Sequence, residues 1–499
     1  MNTDEPTAGD GESEMNGFRF LFNRAIGPIE GDQRITTDLG VLVVREALHR
    51  LGIDTMIDEL KDRRDPAHIR YSLFELILFR VCLLVQGYSS QDDADKLAHD
   101  PAFRIAVWDR SGDAGLDERL ASQPTLSRLI DILATEPNFQ QLIRIAAAPV
   151  LQRFRMDIGE GTGHHATLDI DGLPVVACGK QEGAEYNGYH GQKEFYPFFC
   201  TMSLDGDFNT GAADGLVGAM LRPGNASAAE DAAAFIDEVG DRVKAHCPGL
   251  KIDYRLDAGL MDAGVINRIV ERGETFAGRL KKNDVLKRMA GSRVNRKPGP
   301  VPDYTREYVY EIEKYGAQTW SRKHRLILVV IDEPPALDEL DYGPDFFFLS
   351  TNHDKKTMPA KKVLEHYRRR GIFEDRIGEF NDVIGLHLPH REYRKNEVLF
   401  QLAVLAYNVL SVIRCELEPD VLELDLGRVQ KRVMKAGARI VKGGHRILLR
   451  VADAALGWWK LLTARLADLQ VDCLRRLHRG GFMPVPSHAH RTTPAPLQE

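Results

Sequence analysis

The stretch Ala166-Thr167-Leu168-Asp169-Ile170-Asp171 decides how this chain is read. Its alternation puts Leu168 and Ile170 on one face of a strand and both carboxylates on the other. A carboxylate within an apolar strand is costly unless a cation or partner offsets it. Before this stretch, from Leu39 to about Arg155, apolar residues recur every three or four positions, as in Leu73-Leu76-Ile77-Phe79-Arg80-Leu83-Leu84. That spacing predicts helices, one of them opening at Ser122-Gln123-Pro124-Thr125 with proline tolerated in its first turn.

After Asp171 the pattern predicts strands over Phe198 to Leu204 and Leu216 to Leu221, joined by a turn at Asp205-Gly206-Asp207-Phe208-Asn209-Thr210-Gly211. A helix from about Ala228 to Ala245, a strand from Ile252 to Asp257 and a further strand over Thr275 to Leu280 follow. Three strands, a helix, a strand, a helix and a strand is the element order of an RNase-H-like α/β fold, an analogy of order alone. Residues 282–345 interrupt the scheme with short β-like pieces and Pro334-Pro335, and read as a β-rich insertion. Phe346 to Leu349 reads as another strand, Pro359 to Phe380 as one helix, and Leu399 to Ile413 as a long apolar helix.

Composition bounds the answer. The chain has 499 residues and a formal net charge of -7, so any nucleic-acid contact has to come from local basic patches. Six scattered cysteines without a C-x-x-C spacing speak for reduced thiols and against a disulfide scaffold or zinc module. The apolar run Leu73 to Val85 is interrupted by Glu75 and Arg80 and is short for a bilayer, so a soluble cytoplasmic protein is expected.

A third carboxylate joins the two strand positions. In Tyr367-Arg368-Arg369-Arg370-Gly371-Ile372-Phe373-Glu374, the residues Tyr367, Arg370 and Glu374 would project from one face of a continuous helix. Asp257 closes the apolar run Tyr254-Arg255-Leu256-Asp257, just before the turn at Ala258-Gly259. Two aspartates and a glutamate from two strands and a helix suit a pair of Mg²⁺ ions ~4 Å apart for phosphodiester chemistry, with Mn²⁺ as a substitute.

The order and setting of these groups resemble the DDE transposases of bacterial insertion sequences, in the branch marked by Tyr-x2-Arg-x3-Glu-x6-Lys, and most closely the insertion-sequence 1380 family. The resemblance extends to Asp92-Asp93-Ala94-Asp95-Lys96-Leu97, Ala121-Ser122-Gln123-Pro124-Thr125-Leu126-Ser127-Arg128, Gly179-Lys180-Gln181-Glu182-Gly183-Ala184, Tyr196-Pro197, Leu221-Arg222-Pro223-Gly224-Asn225 and Leu405-Ala406-Tyr407-Asn408. It implies an RNase-H-like core, Asp171, Asp257 and Glu374 as metal ligands with Asp169 the alternative first ligand, and Arg370 and Tyr367 beside the phosphate. It further implies cleavage at terminal inverted repeats, transfer of 3′-hydroxyl ends to target DNA, and a homodimer or larger assembly in a bacterial, nucleoid-associated setting. The expected parts are a disordered lead (1–30), a helical DNA-binding and assembly region (31–158), the core's first half (159–281) and the insertion (282–345). The core's second half (346–415), a basic helical region (416–480) and a disordered tail (481–499) complete the chain. The sequence departs from the pattern at Asn381, where the signature has Lys, at Leu173, where Thr or Ser is common, and at Ala258-Gly259-Leu260 in place of Ser-Gly-Phe. Asn381 puts in question the DNA contact that the Lys would make.

Arg428, Lys431, Arg432, Lys435, Arg439, Lys442, Arg446 and Arg450 form a run of one sign with no acid between them, a DNA-backbone surface or a solvated helix face. Trp320, beside Arg322 and Lys323, either stacks on a displaced base or packs a β-piece. Two other functions stay open: a transposase-derived DNA-binding protein without catalysis, and an RNase-H-like structure-specific nuclease. The Asp205 loop lacks a calcium loop's glycine and glutamate, Gly159-Glu160-Gly161-Thr162-Gly163 lacks a phosphate loop's lysine, and His164-His165 has no partnered ligand motif.

Overall fold

The computed structural model describes residues 34–108, 114–158, 163–177, 179–204, 215–227, 229–295, 304–334, 343–417, 425–443 and 446–479. The expected lead and tail, most of the Gly159 segment and the Asp205 turn lie outside the described residues. A short strand β1 (Ile35–Thr36) precedes helices α1 (Val41–Arg50), α2 (Ile53–Asp58), α3 (Leu73–Val85), α4 (Asp93–Leu97), α5 (Pro101–Val107), α6 (Gln123–Leu133) and α7 (Glu136–Ile158). Helix α3 begins in a capping box, Ser72 and Glu75 each bonding the other's backbone N–H, and its side chains from Leu73 to Val85 are all buried. It is therefore the core of the helical region.

The strands that follow are β2 (His165–Gly172), β3 (Val175–Val176), β4 (Glu185–Asn187), β5 (Gln192–Phe195), β6 (Phe198–Leu204) and β7 (Gly215–Met220). Then come α8 (Ala232–His246), β8 (Lys251–Leu256), α9 (Ala263–Glu271), β9 (Thr275–Leu280), α10 (Asp284–Ala290), β10 (Arg306–Tyr315), β11 (His324–Asp332) and β12 (Asp345–Thr351). The chain continues through α11 (Ala360–Arg368), α12 (Gly371–Ile384), α13 (Tyr393–Cys415), α14 (Leu426–Val429), β13 (Ala438–Gly443), β14 (Arg446–Val451) and α15 (Asp453–Arg479).

One eight-stranded sheet, in the order β10-β11-β12-β9-β8-β2-β6-β7, organises the molecule. Strand β2 lies in its interior, third from the β7 edge, parallel to β8 and antiparallel to β6, and β8 is parallel to β9. The strands of the insertion do not form a sheet of their own. They extend this one past β9 as an antiparallel meander, because β12 pairs Phe348–Thr351 with Leu280–Ala277. Between β2 and β6 a small sheet of β3, β5 and β4 intervenes, for which the sequence reading had no strands.

The helix expected over Pro359 to Phe380 is two helices. At Arg369 and Arg370 the bonding tightens to i→i−3, with Arg370 N–H on Tyr367 O (3.0 Å) and Phe373 N–H on Arg370 O (2.9 Å). The basic region is also not all helix. A hairpin of β13 and β14 joins β1 in a three-stranded sheet, since Ile440 is buried between exposed Arg439 and half-buried Val441 in strand alternation.

Helix α13 is long and apolar enough to suit a membrane span, but 94% of that window is buried inside the protein. It packs on α3, α7 and β7 and clamps the sheet edge through Asn408. The Asn408 amide donates to Ala146 O and Leu216 O (2.7 Å each) and its Oδ1 accepts from Leu216 N–H (2.8 Å). Replacing it by leucine, Asn408→Leu, takes the side-chain partner from the buried N–H and C=O of Leu216 and should lower stability by about 3 kcal/mol in urea unfolding. A loss below about 1 kcal/mol would show that the edge strand does not need this clamp.

Candidate active site

The two-residue period of β2 and β8 puts Thr167, Asp169 and Asp171 on the same sheet face as Asp253, Arg255 and Asp257. Thr167 is in register with Asp253 and Asp169 with Arg255, and Asp257 follows directly on the last paired residue, Leu256. The opposite face carries Leu168, Ile170, Ile252, Tyr254 and Leu256, all buried in the main core. The polar face is roofed by α11 over Ala277, Ile327, Val329 and Leu349, and by α12 through a ring cluster. Phe199, Phe380 and Phe400 meet edge to face with centroids 5.3 to 6.3 Å apart. That cluster fixes the helix carrying Glu374.

At the open end of this face the signature residues meet. Arg370 is buried and ion-pairs through Nη2 with Asp171 Oδ2, and its Nη1 lies 3.4 Å from Glu374 Oε1. Asp171 Oδ1 accepts from the Gly172 N–H at 2.7 Å. Burial pushes the Asp171 carboxyl up, Arg370 pulls against this, and the Asp257 charge adds to the rise. Burial works most strongly against the Arg370 charge, but Asp171, Tyr367 and Asp257 together hold the guanidinium pKa above its ordinary value. Asp257 Oδ1 caps the turn after β8, accepting from Gly259 and Leu260 N–H at 3.0 Å each. Glu374 stands in the first turn of α12 with its side chain 70% exposed. Tyr367, in the last turn of α11, is raised by burial and feels Arg370, Asp257 and Asp171. Because of the break at Arg369 and Arg370, these residues converge from two helices and not from one straight face.

Tyr196 belongs to this group, although its setting in Tyr196-Pro197 carries no chemical signal that would single it out. Its phenol is pushed up to about 12 by burial and then by the charges of Asp171 and Asp257. A Cβ on Gly172 would lie 2.7 Å from the Tyr196 ring, so glycine is what lets the ring approach beside Asp171. Three carboxylates with a guanidinium bridging two of them are a site that accepts positive charge and offers it oxygen atoms. That donor chemistry fits a hard divalent cation such as Mg²⁺ or Mn²⁺.

Asp169, the alternative first ligand, is occupied elsewhere. It is fully buried, and Arg255 grips both of its oxygens, Nε at 2.8 Å and Nη2 at 2.5 Å. Arg255 Nη1 also donates to the His366 carbonyl at 3.1 Å. Deeper along the face, Asp253 receives His353 Nε2 at 2.7 Å on Oδ1 and has His366 Nε2 2.7 Å from Oδ2. Thr275 Oγ1 adds a bond to Oδ1 at 2.7 Å. Asp253, His353 and His366 could enclose a metal ion, but the His353 contact already has hydrogen-bond geometry, while His366 Nε2 stands at ion-pair distance. Burial would raise the Asp253 carboxyl, yet the two imidazoles outweigh it and hold it well below the usual carboxylate range. His366 is thus held by its side chain and its carbonyl, one residue before Tyr367.

The remaining candidates lie apart from this cluster. Trp320 is buried, its ring against Tyr315 and His324 with centroids 6.0 and 5.7 Å away, so it is packed and not presented as a stacking platform. Arg322 and Lys323 beside it are exposed. Arg428, Lys431, Arg432, Arg439 and Lys442 are exposed, whereas Lys435 is committed to buried Asp38 (2.7 Å) and lies over the Tyr88 ring. Asn381 is exposed on α12, about two turns beyond Glu374.

This carboxylate cluster stands at the ends of adjacent parallel strands, joined by a glutamate from a helix, and is suited to hold divalent cations. The family described as Transposase DDE domain group 1 matches residues 20–471, and the chain belongs to it. No curated protein matches the chain. Among solved structures, a cryo-EM structure of a piggyBac transposase synaptic complex with hairpin DNA is similar over 91% of this chain and 88% of that one. At 12% identity and a TM-score of 0.38 that likeness is too distant to argue from.

The Asp253 network makes a prediction with a definite sign. A carboxyl held below its unfolded value contributes stability above the ordinary carboxylate range, and the contribution is lost as pH falls through the folded value. Asp253→Asn should therefore lower stability at neutral pH by about 3 kcal/mol, since it breaks a buried charged network. The gap from wild type should narrow below about pH 4. A gap that is constant with pH, measured by urea unfolding, would assign the loss to packing and not to the carboxylate charge.

Proposed function

We propose that this protein is a DNA transposase of the insertion-sequence 1380 branch, with Asp171, Asp257 and Glu374 as its metal-binding triad. The convergence of these three carboxylates on Arg370 supports the reading most directly. The order β7-β6-β2-β8-β9, with α8 and α9 as crossovers, supports an RNase-H-like core. Bound Mg²⁺ ions, or Mn²⁺, would supply activation of a water or 3′-hydroxyl and stabilisation of the leaving oxygen.

The chain's own part is positional. Asp257 is presented by its turn and Glu374 by the first turn of α12. Asp171 is held between the Gly172 N–H and Arg370. Once other cations balance Asp171 and Glu374, the buried Arg370 charge requires a new anion, and a DNA phosphate fits its planar fork. Tyr367 and Tyr196 wall the site, presenting hydroxyls that stay protonated at neutral pH. Transposition at paired inverted repeats further calls for two or more copies of the chain on DNA, in a bacterial, nucleoid-associated setting.

The test is Mg²⁺-dependent cleavage of a labelled duplex carrying the element's own terminal repeat. Asp171→Ala, Asp257→Ala and Glu374→Ala should each reduce cleavage on the order of a thousandfold or more. Arg370→Lys, which keeps charge but loses the fork, should reduce it on the order of a hundredfold. Cleavage by folded Glu374→Ala at the wild-type rate would overturn the triad. Binding of the repeat without any cleavage by wild type would favour a DNA-binding descendant, and cutting that follows branch geometry would favour a structure-specific nuclease.

A further inference from the structure

A cleft of about 420 Å³ lies in the helical region, far in sequence from the carboxylates. Its floor is apolar, with Leu76, Leu120 and Leu129 buried beneath it. Its rim carries Arg64, His68, Arg70, Arg119 and Arg128, and no Asp or Glu lines it. In a chain of net charge -7 such a one-signed rim calls for an account.

Part of the rim charge is already balanced from outside the cleft. Arg64 is engaged by Asp62, His68 by Asp65 and Arg119 by Asp95. Arg70 and Arg128 are exposed and have no carboxylate among their described ion pairs. Arg70 lies over the Tyr71 ring, 5.3 Å from its centroid. Arg128 stands on α6 one turn after Thr125, and Ser122 is the N-cap residue that precedes the helix; all three line the cleft. Ser122 occupies the N-cap position of α6 without a capping bond and instead meets the Thr125 hydroxyl at 3.2 Å. Both hydroxyls line the cleft, next to the positive end of an eleven-residue helix.

Resting on the reading above, we propose that this cleft is a second DNA contact that seats backbone phosphates of duplex DNA. Arg70 and Arg128 supply the charge, and the Ser122 and Thr125 hydroxyls donate to the phosphate oxygens. The apolar leucine floor lowers the local dielectric on one side of the guanidinium–phosphate pairs, so they are screened less than pairs on an open surface. Contacts of this kind carry no base information, and they fix register on the duplex.

The experiment measures binding of the full-length protein to a fully paired duplex bearing the terminal repeat, and to an unrelated duplex, across a salt series. Arg70→Gln with Arg128→Gln should weaken both on the order of tenfold or more, and should reduce the log–log salt slope by roughly 2. Both arginines are exposed, so the thermal midpoint should not move, and its constancy shows that the variant is folded. A folded double variant with wild-type affinity and salt slope overturns the cleft. Loss confined to the repeat sequence overturns the backbone assignment, because phosphate contacts are blind to sequence. A wild type that binds neither duplex at any salt instead sinks the DNA-processing reading itself, a result distinct from failure of the cleft alone.

Discussion

The buried pair of Asp169 and Arg255 is the constraint on which the rest of the active face depends. Two full charges without solvent are tolerable only where geometry and additional bonds offset their desolvation. Here both carboxylate oxygens are used, the strands are in register at these two residues, and the guanidinium has a hydrogen left for the His366 carbonyl. A register slip of one residue between β2 and β8 would strand both charges among Leu168, Ile170 and Leu256. The pair therefore specifies strand register and, through His366, the seat of α11. Positions of Tyr367 and Arg370 follow from that seat.

Much of this architecture was legible in the chain itself. Strict alternation in β2, and apolar runs ending at Asp257 and Leu280, placed the central strands to within a residue or two. What alternation could not do was assign roles to Asp169 and Asp171, which share a face and differ only in what stands opposite. Arg255 faces Asp169 across the ladder, while Asp171 projects past the last paired residue of β8, toward Asp257 and Arg370. Partner identity across strands is a tertiary fact. The same holds for Asp253, His353 and His366, which are separated by up to 113 positions in sequence (366 − 253) and meet only because β12 lies beside β9 and α11 crosses back over the sheet.

The break between α11 and α12 was hidden for another reason. Tyr367 to Glu374 contains no proline, and Gly371 has ordinary helical surroundings, with open space where a Cβ would stand. A glycine costs a helix interior roughly 1 kcal/mol, so Gly371 is a weak local cue that does not by itself place a break. The bend is imposed from outside, by the grip on His366 at one end and by the Phe199, Phe380 and Phe400 cluster at the other. The bonding tightens to i→i−3 between these two anchors. Arg370 sits at that point, which turns its guanidinium inward instead of toward solvent.

Charge follows the same logic of local placement. A net acidic chain is well suited to hold cations among its carboxylates, and poorly suited to hold a polyanion unless positive charge is gathered elsewhere. The protein gathers it in three ways that differ physically. Arg255 is spent wholly on structure and Lys435 is fixed to Asp38, so neither can meet a ligand. Arg370 is shared between the carboxylates and whatever enters beside them. Arg70 and Arg128 at the α6 cleft are exposed and turned to solvent. Counting basic residues along the sequence treats these groups alike, whereas burial and partner separate them: a buried arginine with two bonded carboxylate oxygens holds the fold, and an exposed one over an apolar floor is left to act on something outside it.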